Sequence, residues 1–411
     1  MQTLNPDADQ TANITNATFD DLVDGLLLER EAASLLRTRR VVTHIGPTRI
    51  LTGGIELLHF SGNGYLGLSH SAELMGTLAG GLTKATSGLP QGSSAAALIA
   101  GHSPQLEQAE CDIAQWKSAQ SAAILPSGYQ ANMAAVQTAA QVAIQSGKRP
   151  RFIFDKLIHA SLIDAVRATA AEFRVYPHQN LSKLRRLLEE SDDGNLDILV
   201  SESVFSMDGD AADLITMAQL KQEFGFVWIL DEAHASGIVG PEGAGLAHEM
   251  GVASRVDLGI VTLSKAVGVL GGAVYGTRSA ICAVINFGRA YIYTTAISPA
   301  QAELISRAVA LVRSGDDRRA RLPSNVGLLR EKLERMKLNI PVGISPIIPI
   351  IIGDEARTTR LAAALRERGI FVPAVRPPTV PAGTSRLRIT LSSEHTMDDI
   401  DRLVTSLAEL V

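Results

Sequence analysis

The chain has 411 residues, 46% hydrophobic and 20% charged. That is enough apolar surface to exclude disorder as the dominant state, and enough length for two or three lobes around a sizeable core. Lys and Arg number 38 against 43 Asp and Glu, a net charge of −5, without the basic excess expected of a nucleic-acid partner. The two cysteines, Cys111 and Cys282, stand far apart; they form neither a disulfide framework nor a metal cluster, and they suit a reducing compartment. No apolar run approaches the roughly 20 residues of a membrane span, and the polar start MQTLNPDADQTANITN is no secretory signal. A soluble, cytoplasmic α/β protein with no metal site is expected.

Residues 1–16 read as a loose tail. A helix is predicted from Thr18, which can cap it, with Asp20 and Asp21 in the first turn where the helix dipole favours negative charge. Phe19, Leu22, Val23, Leu26 and Leu27 keep a helical spacing, and the basic cluster Arg37, Arg39 and Arg40 reads as its close. From 110 to 280, short apolar runs alternate with longer amphipathic stretches: RFIF (151–154), FRVY (173–176), DILVSES (197–203), FVWILDE (226–232), LGIVTLS (258–264) and GGAVYG (271–276). Runs of this length without polar alternation predict parallel strands buried on both faces, with helices such as 212–224 between them. The central region is therefore expected to be a mostly parallel sheet in a three-layer domain. The last hundred or so residues read as a helical stretch (300–338), the run SPIIPIIIG (345–353), a helix (355–368), strands in FVPAV and RLRITL, and a final helix near Thr396 with Asp398 and Asp399 in its first turn. The expected division is 1–63 as N-terminal tail and helix, 64–300 as the large domain, and 301–411 as a small α+β domain.

Several residues fall where strands end, the place at which open α/β sheets bind ligands. Lys265 in VTLSKAVG follows a predicted strand, flanked by Thr262 and Ser264 and followed by Gly268, Gly271 and Gly272. It reads either as a surface lysine or as a partly desolvated amine able to form a Schiff base. Asp231 ends FVWILDE and is followed by His234; a buried acid there needs a partner, whether a metal, a ribose or a protonated ring nitrogen. LDEAH also suggests a nucleotide hydrolase, but that reading needs a GxxxxGK[ST] loop, which the chain lacks. His159 follows the RFIF strand, and PSGYQAN places Ser127, Gly128 and Tyr129 at a predicted helix start whose free N–H groups suit phosphate. SESVFSMDGD carries Glu202, Ser206 and Asp208 at another strand end. Asn63 lies in a glycine-rich turn, and Arg388 in RLRITL is a candidate carboxylate clamp.

The order SGYQAN, HASLID, SESVFSMDGD, LDEAHASG, VTLSKAVG, YIYTT and RPPTVPAGTSRLRIT resembles the α-oxoamine synthases, fold-type-I enzymes that use pyridoxal 5′-phosphate, over residues 20 to the end. FSMDGD and RPPTVPAGTSRLRITLSSEHTMDDIDRL are most similar to the biotin-making branch of that family. The resemblance implies that Lys265 carries the cofactor as a Schiff base and later moves protons. Asp231 would pair with the pyridine nitrogen, and His159 would stack on the ring. Ser206 and His234 would bond its phenolic oxygen. Ser127, Gly128, Tyr129 and Thr262 would hold the phosphate, and Thr294 and Thr295 would reach the cofactor of a neighbouring subunit. Asn63 and Arg388 would bind the amino-acid carboxylate, and Arg37 the acyl substrate. The implied reaction is a decarboxylative condensation of L-alanine with a pimeloyl thioester, carried by coenzyme A or a carrier protein, in a homodimer. Glycine, another acyl-CoA, or a cofactor-binding protein without catalysis are the alternatives. The stretch 88–110 departs from the pattern, with Leu106 where a substrate-facing histidine is usual.

Overall fold

The computed structural model describes residues 18–33, 35–74, 76, 89–343 and 345–411; the tail read over 1–16, and Gly88 at the head of the 88–110 stretch, lie outside them. Three strands precede the central region: β1 (Thr43–His44), β2 (Arg49–Thr52) and β3 (Ile55–His59). The central sheet holds β4 (Ser121–Leu125), β5 (Arg149–Asp155), β6 (Glu172–Tyr176), β7 (Asn195–Glu202), β8 (Val227–Asp231), β9 (Leu258–Thr262) and β10 (Gly272–Gly276). The order across it is β4-β10-β9-β8-β7-β5-β6.

Each apolar run read as a strand is a strand, and β5 to β9 pair in parallel. The run at 271–276 is the exception to the parallel expectation, since β10 is antiparallel to both β9 and β4. The link from Thr262 to Gly272 is too short for the dozen or more residues of a parallel crossover, so the chain turns straight back. Helices pack against the sheet, and Phe152, Ile198, Leu199, Val200, Trp228, Ile229 and Ile260 are fully buried between the layers.

The parallel strands bring four functional-type side chains to one edge. Asp155, Glu202, Asp231 and Thr262 are the last residues of β5, β7, β8 and β9.

The last third contributes β11 (Ile347–Gly353), β12 (Ile370–Phe371), β13 (Ala374–Val375) and β14 (Ser385–Thr390). β14 lies between β11 and β13, antiparallel to both. The predicted helical stretch 300–338 is two helices, Pro299–Arg313 and Asp316–Arg335. The last helix, Met397–Ala408, opens with the Thr396/Asp399 capping box.

The N-terminal part differs most from expectation. Its helix, Phe19–Ala32, has the predicted Thr18 cap but buries none of its residues. It ends at Ala32, so Arg37, Arg39 and Arg40 lie beyond it on chain without regular secondary structure. The ribbon β1–β3 pairs in parallel with β12 through Ile370↔Leu58 and Phe371↔His59, and Phe60 O accepts from Thr390 N at 2.9 Å. The chain before residue 63 is thus hydrogen-bonded to the C-terminal region. That bonding fixes the FSGNGY turn beside β14, the strand that carries Arg388.

Candidate active site

Lys265 lies three residues beyond the end of β9, and its Nζ is 2.8 Å from His234 Nε2. His234 follows the end of β8 and is buried. Its Nδ1 is 2.6 Å from the hydroxyl of Tyr65, a wholly buried residue. The Tyr65 hydroxyl donates to Asn63 Oδ1 at 3.2 Å. The Arg388 guanidinium donates to the same Oδ1 through both terminal nitrogens at 3.4 Å, and its Nε to Ser206 O at 2.8 Å. An unbroken chain therefore joins Lys265 to Arg388 across the cleft.

One proton arrangement satisfies it. Burial and the charge of Lys265 push the His234 pKa well below its ordinary value, so the ring is neutral. Burial raises Tyr65 to about 12, so its hydroxyl keeps its proton. With the imidazole proton on Nδ1, Lys265 donates to Nε2, Nδ1–H donates to Tyr65, and Tyr65 donates to Asn63. Burial lowers Lys265 to about 8, against the pull of Asp231 and Glu202. At pH 8 about half of the amine is thus neutral, the state in which it attacks a carbonyl.

Asp231 is buried, and both its oxygens accept from neutral donors: Oδ1 from Ala233 N at 2.8 Å and Oδ2 from Asn132 Nδ2 at 2.9 Å. Its charge is left for a cation in the cavity, which a protonated ring nitrogen would supply. The Asn132 amide nitrogen also donates to Ser161 Oγ at 2.8 Å, and Ser161 Oγ is 2.7 Å from His159 Nδ1. One buried amide therefore orients both Asp231 and His159. His159 caps the helix Ala160–Ala168 and is exposed at the cleft, where its ring can lie against a planar group. Glu202 is buried beneath this group. Burial and the neighbouring Asp231 push its pKa well up, and its Oε1 has no partner among the described residues.

Ser127 caps the helix Gly128–Gln145, its Oγ accepting from Gln130 N at 3.2 Å. The free N–H groups of this 18-residue helix open beside Thr262. A Cβ at Gly128 would stand 2.2 Å from Thr262 Oγ1, and one at Gly272 would stand 2.6 Å from Gly128 Cα. These contacts require glycine, and they press the helix start against the end of β9. A helix N-terminus with an adjacent hydroxyl suits a phosphate. Aldehyde-accepting amine, buried carboxylate, exposed imidazole and phosphate cradle together fit pyridoxal phosphate.

The other expected residues lie further out. The Tyr129 side chain is about half exposed, with its hydroxyl on Asp164. Thr294 Oγ1 accepts from Gln130 Nε2 at 3.1 Å, beside the helix start of its own chain. Thr295 is exposed and bridges to Ala96. Arg37 reaches Thr379 in the RPPTVP segment at 3.3 Å and borders a cleft of about 840 Å³ with His159, Ser206, Lys156 and Arg386. Leu106 points into the core at 1% exposure, so it faces no substrate.

Tyr65, Asn132 and Ser161 escaped sequence reasoning. The signals were local: Tyr65 follows Asn63 by two residues, and Asn132 sits one helical turn beyond Gly128.

A profile of the aminotransferase class I and II family matches residues 64–407. The 8-amino-7-oxononanoate synthase of Dechloromonas aromatica is 38% identical over 396 residues, 95% of this chain and 100% of that protein. A serine palmitoyltransferase from S. paucimobilis with a bound pyridoxal-phosphate–myriocin adduct superposes with TM-score 0.88 at 25% identity, covering 96% of this chain and 98% of that one. The 8-amino-7-oxononanoate synthase of Francisella tularensis gives 0.71 at 27% identity over 86% of this chain and 97% of that one. The chain belongs to the aminotransferase class I and II family, with the fold of type I pyridoxal-phosphate transferases. Within that family it falls among the α-oxoamine synthases, as an acyltransferase of the 8-amino-7-oxononanoate synthase type whose cofactor is pyridoxal 5′-phosphate.

Proposed function

We propose that this chain joins L-alanine to a pimeloyl thioester with loss of carbon dioxide, giving 8-amino-7-oxononanoate. A carbon–carbon bond forms between the alanine α-carbon and the acyl carbon, the thioester C–S bond breaks, and the thiol and carbon dioxide leave. The observation that carries this reading is the hydrogen-bonded chain from Lys265 through His234, Tyr65 and Asn63 to Arg388. It ties a proton-moving amine to a carboxylate clamp in one rigid unit, as an amino-acid substrate requires.

Bound at Lys265, pyridoxal phosphate supplies an electron sink for the pair left at the amino acid's α-carbon. Arg388 and Asn63 hold the carboxylate, with Arg388 fixed by its Nε bond to Ser206 O. Lys265 removes and returns the α-proton, its pKa of about 8 placing it near the working range of a general base. Asp231 keeps a proton on the ring nitrogen, held to that task by Asn132 and the Ala233 amide. His159 covers the ring face, oriented by Ser161. Gly128, Tyr129 and Thr262 hold the phosphate, with Ser127 ordering the helix start. The cleft bordered by Arg37 and Lys156 receives the acyl chain and its thioester carrier, with those two cations available to the carrier's phosphates.

The active unit is a homodimer. Leu98, Ile99, Leu270 and Tyr293 are exposed by 50%, 81%, 65% and 73%, and the Ala96–Thr295 bridge holds the first two beside the YIYTT segment. A second copy covering this surface would bring Thr294 and Thr295 to the interface. Light scattering of the cofactor-loaded protein should give twice the chain mass; a fully active monomer would sink the dimer. Product analysis by mass spectrometry, with L-alanine or glycine and pimeloyl-CoA or a pimeloyl carrier protein, tests the substrates. Product from glycine alone, or none from either pimeloyl donor, would move the reading to another amino acid or acyl chain.

A further inference from the structure

His178 lies outside the site, two residues past the end of β6, yet it joins the sheet to the loop that touches the clamp. Its Nδ1 is 3.0 Å from Asp155 Oδ1 and its Nε2 is 2.9 Å from Asp210 Oδ2. Asp155 is buried at the end of β5 and is itself fixed by the amides of Leu157 and Gln179, at 2.8 Å and 2.7 Å. Asp210 closes the loop 203–212. The base of that loop is laced by Phe205 N to Asp210 O at 3.0 Å and Ala212 N to Ser203 O at 3.0 Å. The Phe205 ring meets the His178 ring edge to face, with centroids 4.5 Å apart. His178 therefore grips both sides of the loop base.

The tip of that loop touches the strand of the clamp. Ser206 O accepts from Arg388 Nε at 2.8 Å, and Asp208 Oδ1 from Arg386 at 2.6 Å. Gly209 O accepts from Ser345 Oγ at 2.8 Å, and a Cβ at Gly209 would stand 2.3 Å from Ile347 O. The loop is thus the contact between the end of the central sheet and the strands β11 and β14.

We propose that His178 is a positioning residue for amino-acid binding: held between Asp155 and Asp210, it fixes the 203–212 loop, and through Ser206 O it fixes the Arg388 guanidinium. This rests on the reading of Arg388 as the carboxylate clamp. Both nitrogens of His178 face carboxylates, so the ring must donate twice, which only the protonated form does. Burial opposes the charge, but the two carboxylates together outweigh it and raise the pKa to about 10, so the lock is in place throughout the neutral range. Gln179 Nε2 also donates to Asp210, but a neutral side chain at 178 lacks the charge, and the two donors on opposite sides of one ring, that tie Asp210 to Asp155, so the loop base would loosen.

The test titrates cofactor-loaded wild type and His178→Gln with L-alanine and, separately, with ethylamine, which has the amine but no carboxylate. The cofactor's visible absorbance reports binding. Glycine and L-serine run alongside, and the tightest-binding amino acid is the one compared. The proposal expects the amino acid to bind about tenfold more weakly to the variant, with ethylamine and cofactor affinity unchanged. Equal weakening of both ligands, or a lowered melting temperature with unchanged amino-acid binding, would overturn it and leave His178 a fold-stabilising residue only. If His178→Gln does not fold, Asp210→Asn is titrated in its place, with the same expectation and the same contrary result. A wild type that binds the amino acid far better than ethylamine but does not condense it with a pimeloyl thioester would sink the condensation reading alone. A wild type with no carboxylate preference would overturn the clamp and this proposal together.

Discussion

The Tyr65 hydroxyl lies 2.6 Å from His234 Nδ1, and both residues are buried. This contact fixes the imidazole so that its other nitrogen meets Lys265. Tyr65→Phe keeps the ring's volume but leaves the buried Nδ1–H without an acceptor, at a cost of about 1–3 kcal/mol. The expected result is a fall in kcat of about tenfold with little change in cofactor affinity. Steady-state kinetics with a cofactor titration checks it, and an unchanged kcat would remove Tyr65 from the account.

Gly128 and Thr262 are pressed too closely for a side chain, with 2.2 Å between an added Cβ and Thr262 Oγ1. Gly128→Ala should destabilise the fold by about 1–3 kcal/mol through overpacking. It should also weaken pyridoxal phosphate binding, because relief of the clash must move the helix start that holds the phosphate. Pyridoxal, which lacks the phosphate, should be affected less. Equal losses for the two would show that the helix start holds no phosphate.

The free amine of Lys265 has its pKa lowered from 10.5 to about 8, chiefly by burial. Only the neutral amine attacks the cofactor's aldehyde. The rate at which apoprotein takes up pyridoxal phosphate should therefore rise with pH through a midpoint near 8. A midpoint near 10.5, the ordinary lysine value, would mean the amine is solvated rather than buried in the working protein.

Arg388→Lys keeps the charge but loses the planar fork and the Nε bond to Ser206 O. The KM for the amino acid should rise about tenfold or more, with a smaller change for the acyl thioester. A rise confined to the thioester would place Arg388 on the wrong substrate.

His178 gives a pH signature of its own. Its pKa is raised from 6.5 to about 10 by Asp155 and Asp210. A raised cationic group contributes stability that is fully present below its unfolded value and is lost as pH rises through its folded value. The melting-temperature gap between wild type and His178→Gln should be widest below pH 6.5 and close progressively toward pH 10. A gap constant over that interval would contradict the charged state assigned to the ring.

Much of this was legible in the sequence. Asp231, Thr262 and Lys265 could be placed because continuous apolar runs mark buried parallel strands, and those strands end on one edge. The Ser127 cap and the glycine after it were legible as local helix chemistry. The antiparallel turn of β10 was not, because an apolar run carries no direction. The ribbon β1–β3 was missed because its pairing partner, β12, lies more than three hundred residues away. Tyr65 and Asn132 act on His234 and Asp231 through hydrogen bonds across the chain, and Ser161 joins Asn132 to His159; their types alone are ordinary for a turn, a helix face and a helix start. His178 shows the same limit, since its role depends on two aspartates contributed by different strands and loops.

The most direct measurement mixes the cofactor-loaded protein with L-alanine and pimeloyl-CoA and follows thiol release, carbon dioxide and the nine-carbon product together, with Lys265→Ala in parallel. The account predicts one thiol and one carbon dioxide per 8-amino-7-oxononanoate formed, none of the three without alanine, and none with the variant. Thiol release that ignores alanine, or product formed by Lys265→Ala at the wild-type rate, would contradict it.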